Sequence, residues 1–245
     1  MATFKLTIEY DGTAYAGWQR QPDQPTIQAA LEAALCRITG ARISVIGAGR
    51  TDAGVHALGQ VASFRTDRRM APHEWMKALN AVLPSDISIR AADQAADDFH
   101  ARHAARAKLY RYRILNRRER SPFEKGRAWH IRKRLDTDAM REAASPFVGR
   151  HDFSSFQGPQ AGTKDPMCHL QRLDITPTQA ILCLDIEADR FLKQMVRSLV
   201  GTLVEVGLGK RPSHAMKDIL IAKDRRAAGH TAPPHGLYLV RVVYS

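Results

Sequence analysis

The chain has 245 residues, 44% apolar and 25% charged, an ordinary balance for a globular protein with one large core or two smaller ones. Lys and Arg number 37 against 25 acids, giving a net charge of +12 and a pI of about 10.0, an excess that predicts an anionic partner, nucleic acid first. Three cysteines without a CxxC pair argue against a disulfide framework or zinc site and fit a reducing cytosol. The longest apolar tract, Phe191 to Val206, is interrupted by Lys193, Arg197 and Glu205, so no membrane span is expected.

In chain order, Met1 to Lys5 runs directly into a strand pattern, which predicts no signal peptide. Lys5 to Tyr10 alternates, with Leu6, Ile8 and Tyr10 on one face, and reads as a strand. A turn at Asp11-Gly12-Thr13 leads into a polar, Gln-rich loop from Tyr15 to Pro25. There Trp18 and Arg20 suit RNA contact, and packing of Trp18 on the core suits equally well. Thr26 is a good N-cap for a helix through Ile27, Leu31, Leu35 and Ile38, which Gly40 ends. Ile43 to Ile46 and Gln60 to Phe64 read as strands. A second helix starts near Pro72 with Trp75, Leu79 and Val82 and stops before Pro84, and Ile87 and Ile89 mark a further strand.

Between the two middle strands lies a glycine-studded loop, Gly47 to Gly59, holding Arg50, Thr51, Asp52 and His56. Its glycines at 47, 49 and 54 suit positive φ or close approach to a ligand. It is not a dinucleotide fingerprint, which needs glycine where Asp52 stands, nor a P-loop, since no Gly-Lys-Ser/Thr ending is present. Local chemistry alone favours Thr51 and Asp52 as a turn that bonds its own backbone; a catalytic aspartate displayed on a loop is the second reading.

The second half is expected to repeat the same order of elements. Lys108 to Leu115 is a strand with Tyr110, Tyr112 and Ile114 on one face, and Trp129 to Ile131 is a candidate partner. Asp136 caps a helix carrying Met140, Ala143, Ala144 and Phe147; His151 to Pro166 reads as a polar loop. Strands at Leu170 to Ile175 and Ile181 to Ile186 precede a helix from about Arg190 to Val206, a shorter helix from Ser213, and a last strand from Leu237 to Tyr244. The basic charge is concentrated: Phe99 to Arg134 holds thirteen Lys/Arg against Glu119 and Glu124, a net +11. Its interleaved Tyr110, Tyr112, Phe123 and Trp129 suit a folded face that contacts phosphates and stacks bases.

The expected fold is α+β: two similar RRM-like or ferredoxin-like subdomains, residues 1–104 and 105–245, with mainly antiparallel sheets, helices on one face and a cleft between them.

Several stretches together resemble the TruA family of tRNA pseudouridine synthases: Tyr10-Asp11-Gly12-Thr13 with Gly17-Trp18-Gln19, Thr26-Ile27-Gln28, Gly49-Arg50-Thr51-Asp52-Ala53-Gly54-Val55-His56-Ala57, the Phe99 to Tyr112 block, His151-Asp152-Phe153, Met195-Val196-Arg197 and Ala232-Pro233-Pro234. The likeness runs through essentially the whole chain, and its most specific part is the loop around Asp52.

That resemblance implies an isomerase that converts uridine to pseudouridine in the tRNA anticodon arm, at positions 38, 39 and 40, with Asp52 as its single catalytic aspartate and with neither cofactor nor metal. It implies that Tyr110 stacks on the target base. Proton transfer is the weaker role for it, because a phenol of ordinary pKa, about 10, is a poor base. Arg197 matches the arginine that pairs with the catalytic aspartate, and Arg50 is assigned to the flipped nucleotide or its phosphate. His56 receives no catalytic role. Arg102, Arg111 and Arg113 are candidates for the tRNA backbone. The family further implies a homodimer, and the composition a soluble, cytoplasmic protein without membrane contact. Two positions depart from the family pattern: Cys168-His169, and Gln194 where Asn or His is usual. The competing class is a non-catalytic RRM-like RNA-binding protein, to which the Lys108 to Leu115 strand is a loose match. A metal-dependent nuclease lacks the clustered carboxylates it would need.

Overall fold

The computed structural model describes residues 1–159 and 165–244, which fall into two compact units. Unit 1 comprises Met1–Arg106 together with the C-terminal stretch from Tyr238. Its first strand, β1 (Ala2–Tyr10), alternates as the sequence predicts and buries Phe4, Leu6, Ile8 and Tyr10. In α1 (Ile27–Thr39) the Thr26 side chain accepts the Ala29 N–H, and Gly40 closes the helix at a φ of 74°. β2 (Ile46–Gly47) is shorter than expected. The N–H of Val45 donates to Glu32 Oε1 at 3.1 Å and its carbonyl accepts from Gln28 Nε2 at 3.0 Å. Side chains of α1 thus satisfy backbone groups that a strand partner would otherwise take.

β3 (His56–Thr66) begins at His56 rather than Gln60. In α2 (Pro72–Val82), Glu74 accepts the Ala71 N–H at 2.6 Å, and Trp75 packs on Phe4 and Phe64 at 5.6 and 5.2 Å between ring centroids. β4 (Ile87–Ala95) completes the plan. β1 pairs antiparallel with both β3 and β4, and β2 pairs antiparallel with β3. The order β4-β1-β3-β2 is that of a ferredoxin-like split βαβ unit.

Unit 2 spans Ala107–Leu237. β5 (Ala107–Asn116) buries residues of both faces, among them Leu109, Tyr110, Tyr112 and Ile114, and β6 (Trp129–Ile131) pairs with it in parallel. The Asp136 side chain accepts two N–H groups at the start of α3 (Thr137–Ala144). β7 (Gly149–Asp152), β8 (Met167–Thr178) and β9 (Ile181–Ala188) form antiparallel ladders, with β9 also antiparallel to β5. The order is therefore β6-β5-β9-β8-β7, in which β5, β9 and β8 repeat the places of β1, β3 and β2. The apolar helix α4 (Met195–Gly207) is buried nearly all round, as a central core helix must be. α5 (Met216–Ala222) follows a short 3-10 turn at Ser213–Ala215.

Three further expectations need correction. The loop expected over 151–166 begins inside β7, and Phe153 and Phe156 are fully buried beside it; residues 160–164 lie outside the described residues. α4 starts at Met195, not near Arg190, because Gln194 adopts a left-handed φ of 58° and the carbonyl of Lys193 accepts the Gly158 N–H at 2.8 Å. The last strand, β10 (Leu237–Val243), was expected in the second subdomain, yet from Tyr238 on it belongs to unit 1. Tyr238 and Leu239 pair in parallel with His56 and Ala57 of β3, Val243 O accepts the Arg106 N–H at 2.9 Å, and Tyr244 donates to Ala101 O at 2.7 Å. Sequence order alone cannot show a chain returning to its first sheet. Among the described residues no helix is long and apolar enough to cross a membrane.

Candidate active site

The loop from Gly47 to His56 is held from two sides. On the strand side, Ala48 N–H donates to Val61 O at 2.7 Å, and the fully buried Gln60 donates from Nε2 to Gly49 O at 2.8 Å. On the other side lies the segment from Tyr10 to Trp18. Trp18 N–H donates to Thr51 O at 3.0 Å, and Gly54 N–H to Tyr15 O at 3.3 Å. The hydroxyls of Tyr10 and Thr51 are 2.8 Å apart in the interior. Burial pushes the Tyr10 phenol up to about 12, against the opposing hydrogen bonds to Thr51 and Gln60, so it remains a neutral bonding group across the working pH range. Trp18 is 2% exposed, its indole lying directly against Gly47; of its two readings, core packing is the one observed.

Two glycines of the bracing segment are demanded by this fit. A Cβ at Gly12 would fall 2.0 Å from Val55 O. At Gly17 it would fall 2.6 Å from Thr51 O, and the φ of 99° there is one that L side chains rarely adopt. Gly54, within the loop, also takes positive φ, at 74°. His56 is buried at the loop's end. Its Nδ1 lies 3.1 Å from both the Gly12 N–H and Asp11 Oδ1, and its ring stacks on Tyr238 at 4.7 Å. A main-chain turn is present, since Val55 N–H donates to Asp52 O at 3.2 Å, but Thr51 directs its hydroxyl to Tyr10 instead of capping that turn. The Asp52 side chain is half-buried and Arg50 is exposed. Apart from the His56–Asp11 contact, the bonds described above that fix the loop's path are made by backbone or neutral groups.

Asp52 and Arg50 stand on unit 1, Tyr110 and Arg197 on unit 2. Tyr110 on β5 is nearly buried, with its ring edge-on to Phe191 at 5.0 Å. Arg197, in the first turn of α4, donates from Nε to Ala232 O at 2.7 Å, while its own carbonyl accepts the Ala232 N–H at 3.0 Å. Tyr112 donates to the next carbonyl, Pro233 O, at 2.7 Å. Burial pushes the Tyr112 phenol up, and the charge of Arg197 draws it partly back.

The arginines expected on the tRNA backbone differ from one another. Arg111 makes a bidentate pair with Asp185, its partner across the β5–β9 ladder, both bonds at 2.7 Å. Arg113 bonds Glu124 at 2.9 Å. Arg102 is exposed, and its N–H donates to His100 Nδ1 at 3.2 Å. Among the described residues no group of three or more His, Cys, Asp or Glu could hold a metal ion. Of the bracing residues, Tyr10, Gly12, Gly17 and Trp18 lay within recognised stretches of the sequence, but nothing local to them showed that they clasp the loop.

A family model described as "tRNA pseudouridine synthase" matches residues 6–103 and 143–245. The chain is 46% identical over 245 residues to "tRNA pseudouridine synthase A" of Myxococcus xanthus, covering 100% of this chain and 92% of that one. It is 45% identical over 244 residues to the protein of the same name from Geotalea uraniireducens (strain Rf4), and 43% identical over 244 residues to that of Thermoanaerobacter sp. (strain X514), each match covering both chains fully. A family match over most of the chain and full-length relatives of this identity agree with the braced aspartate loop: the chain belongs to the tRNA pseudouridine synthase family.

Proposed function

We propose that this enzyme isomerises uridine to pseudouridine at positions 38, 39 and 40 of the tRNA anticodon arm, with Asp52 as the catalytic carboxylate. A tRNA pseudouridine synthase activity follows from the family; the positions and the residue roles are proposed. The observation that carries it is the placement of Asp52 on a loop that two glycines and two buried hydroxyls hold in register.

The reaction breaks the N1–C1′ bond, turns the uracil and joins C5 to C1′. The C5 hydrogen leaves as a proton and N1 gains one, so atoms and electrons balance without a co-reactant. Asp52 either bonds covalently during this exchange or stabilises the cation-like sugar. The target base must leave the stem, at an unstacking cost of a few kcal/mol; Arg50, exposed at the loop tip, is assigned to the flipped nucleotide or its phosphate. Tyr110 is assigned to stacking on the base, and Arg197 to substrate binding alongside the pairing with the catalytic aspartate that the resemblance implies. Arg102 is offered as a backbone contact. Arg111 and Arg113 serve the backbone only if phosphate displaces Asp185 and Glu124. The resemblance also supports a homodimer and a cytoplasmic location. A non-catalytic RNA-binding role is not favoured by full-length relatives named as synthases.

The test is to map pseudouridine in tRNA transcripts treated with the purified protein. Conversion at 38, 39 or 40 is expected; conversion confined to other positions overturns the assignment of the anticodon arm.

A further inference from the structure

The basic stretch divides into two parts with different fates. On β5, Arg111 and Arg113 are matched by Asp185 and Glu124. Beyond the strand, Arg117, Arg118, Arg132 and Arg134 are all exposed, Arg117 with its guanidinium turned back onto the carbonyls of Glu119 and Arg120 at 2.9 and 3.3 Å. Two chain passages carry them, the exits of β5 and β6, which run parallel with Asn116 opposite Ile131. Asn116 binds the passages together. Its Nδ2 donates to Ile131 O and Lys133 O at 2.9 and 2.8 Å, and its Oδ1 accepts the Leu135 N–H at 3.0 Å. His130 Nε2 adds a contact of 2.9 Å to Arg117 O. One amide side chain thus ties the passage that carries Arg117 and Arg118 to the one that carries Arg132 and Arg134, which concentrates positive charge at this corner and favours an anion there.

The loop between the two strands also holds Phe123, 87% exposed. Its neighbour Glu124 is pinned: the carboxylate bonds Arg113, and its carbonyl accepts the N–H groups of Arg127 and Ala128 at 3.0 and 3.1 Å. The phenyl ring therefore stands on an anchored turn rather than a loose one. Guanidinium groups suit phosphate and a solvent-facing aromatic ring suits an unstacked base; single-stranded or looped RNA offers both together.

We infer that the loop between β5 and β6, with the segment after β6, is a docking surface for the tRNA substrate, in which the arginine corner around Asn116 holds backbone phosphates and Phe123 stacks on an unpaired base. This rests on the tRNA-modifying reading and assigns to this surface the salt-sensitive binding that the paired arginines of β5 do not supply.

The test uses the full chain and full-length tRNA, with Kd measured over a salt series and KM separated from kcat. For Arg118→Glu with Arg132→Glu, binding weakens by about tenfold or more and the slope of log K against log salt falls by about 2, while kcat at saturating tRNA is unchanged. For Phe123→Ala, KM rises by about fivefold or more, and Phe123→Trp restores it. Wild-type slope and KM in the charge-reversal and Phe123→Ala variants, with turnover intact, overturn the docking surface and leave the synthase reading standing. Absence of any turnover by the wild-type protein overturns the synthase reading, and the docking surface with it.

Discussion

The loop that carries Asp52 in unit 1 and the arginines of β5 in unit 2 are both held in place, but by opposite means. The loop is fixed by backbone hydrogen bonds, by a pair of hydroxyls 2.8 Å apart and by glycines that let chain segments touch. The β5 arginines are fixed by carboxylates, Asp185 and Glu124. Neutral bracing fixes the path of the backbone that carries a charge. Ionic bracing spends the charge internally, so a basic strand need not be a basic surface. Arg118, Arg132 and Arg134, all exposed, lie past the strand end near Asn116.

The largest effect that could break this contrast is expected at Gly17. Gly17→Ala forces a Cβ toward Thr51 O in a left-handed backbone, displacing the loop. A fall in kcat of about 100-fold or more is expected with tRNA binding nearly unchanged. Wild-type kcat in this variant would show that the loop needs no such register.

A middling effect concerns the ionic bracing of unit 2, read through pH. Burial raises the pKa of Glu205, but hydrogen bonds from His230 and Arg211 outweigh it and hold the carboxylate below its usual range. A pKa lower in the folded than in the unfolded state means that the unfolded chain binds the proton more readily. The contribution is complete above the unfolded value and is lost as pH falls through the folded one. Between about pH 5 and about pH 3, the urea midpoint of the wild type is expected to fall more steeply than that of Glu205→Gln. Parallel pH profiles would remove Glu205 from the acid response.

The smallest effect is expected on β5. Because Arg111 is committed to Asp185, Arg111→Ala should change the salt slope of tRNA binding by well under about one unit. A loss of a full unit would mean that phosphate does displace Asp185, and would erase the distinction between strand and strand end.

Much of this fold was legible in the chain. Thr26 and Gly40 bound α1, Pro72 opens α2, Asp136 caps α3, and the period-2 runs mark β1, β5 and β9, because caps and alternation are local. What was not legible depends on distant partners. The β2 run looks like a four-residue strand until Glu32 and Gln28 claim the polar groups of Val45. The start of α4 looks helical from Arg190 until Gln194 turns left-handed and Gly158 binds Lys193 O. The return of β10 to β3 rests on a short parallel ladder, Tyr238 and Leu239 beside His56 and Ala57. The site divides the same way. Asp52 stood out through the motif around it, whereas local chemistry offered no more than a turn. Its clasp by Gly12, Gly17 and Trp18 is a contact between segments far apart in the chain, Gly12 reaching Val55 and Gly17 and Trp18 reaching Thr51. Phe123 was legible only as one of several aromatics interleaved with the basic run, and Asn116 carried no signal, until exposure and bonding set them apart.

The most direct test of the central assignment is tritium release from tRNA carrying [5-³H]uridine, compared for the wild type and Asp52→Asn, a nearly isosteric change that removes the charge. Release by the wild type, none above background by Asp52→Asn, and tRNA affinity within about threefold of wild type are the predicted results. Continued tritium release by Asp52→Asn would contradict the assignment of Asp52 as the catalytic carboxylate.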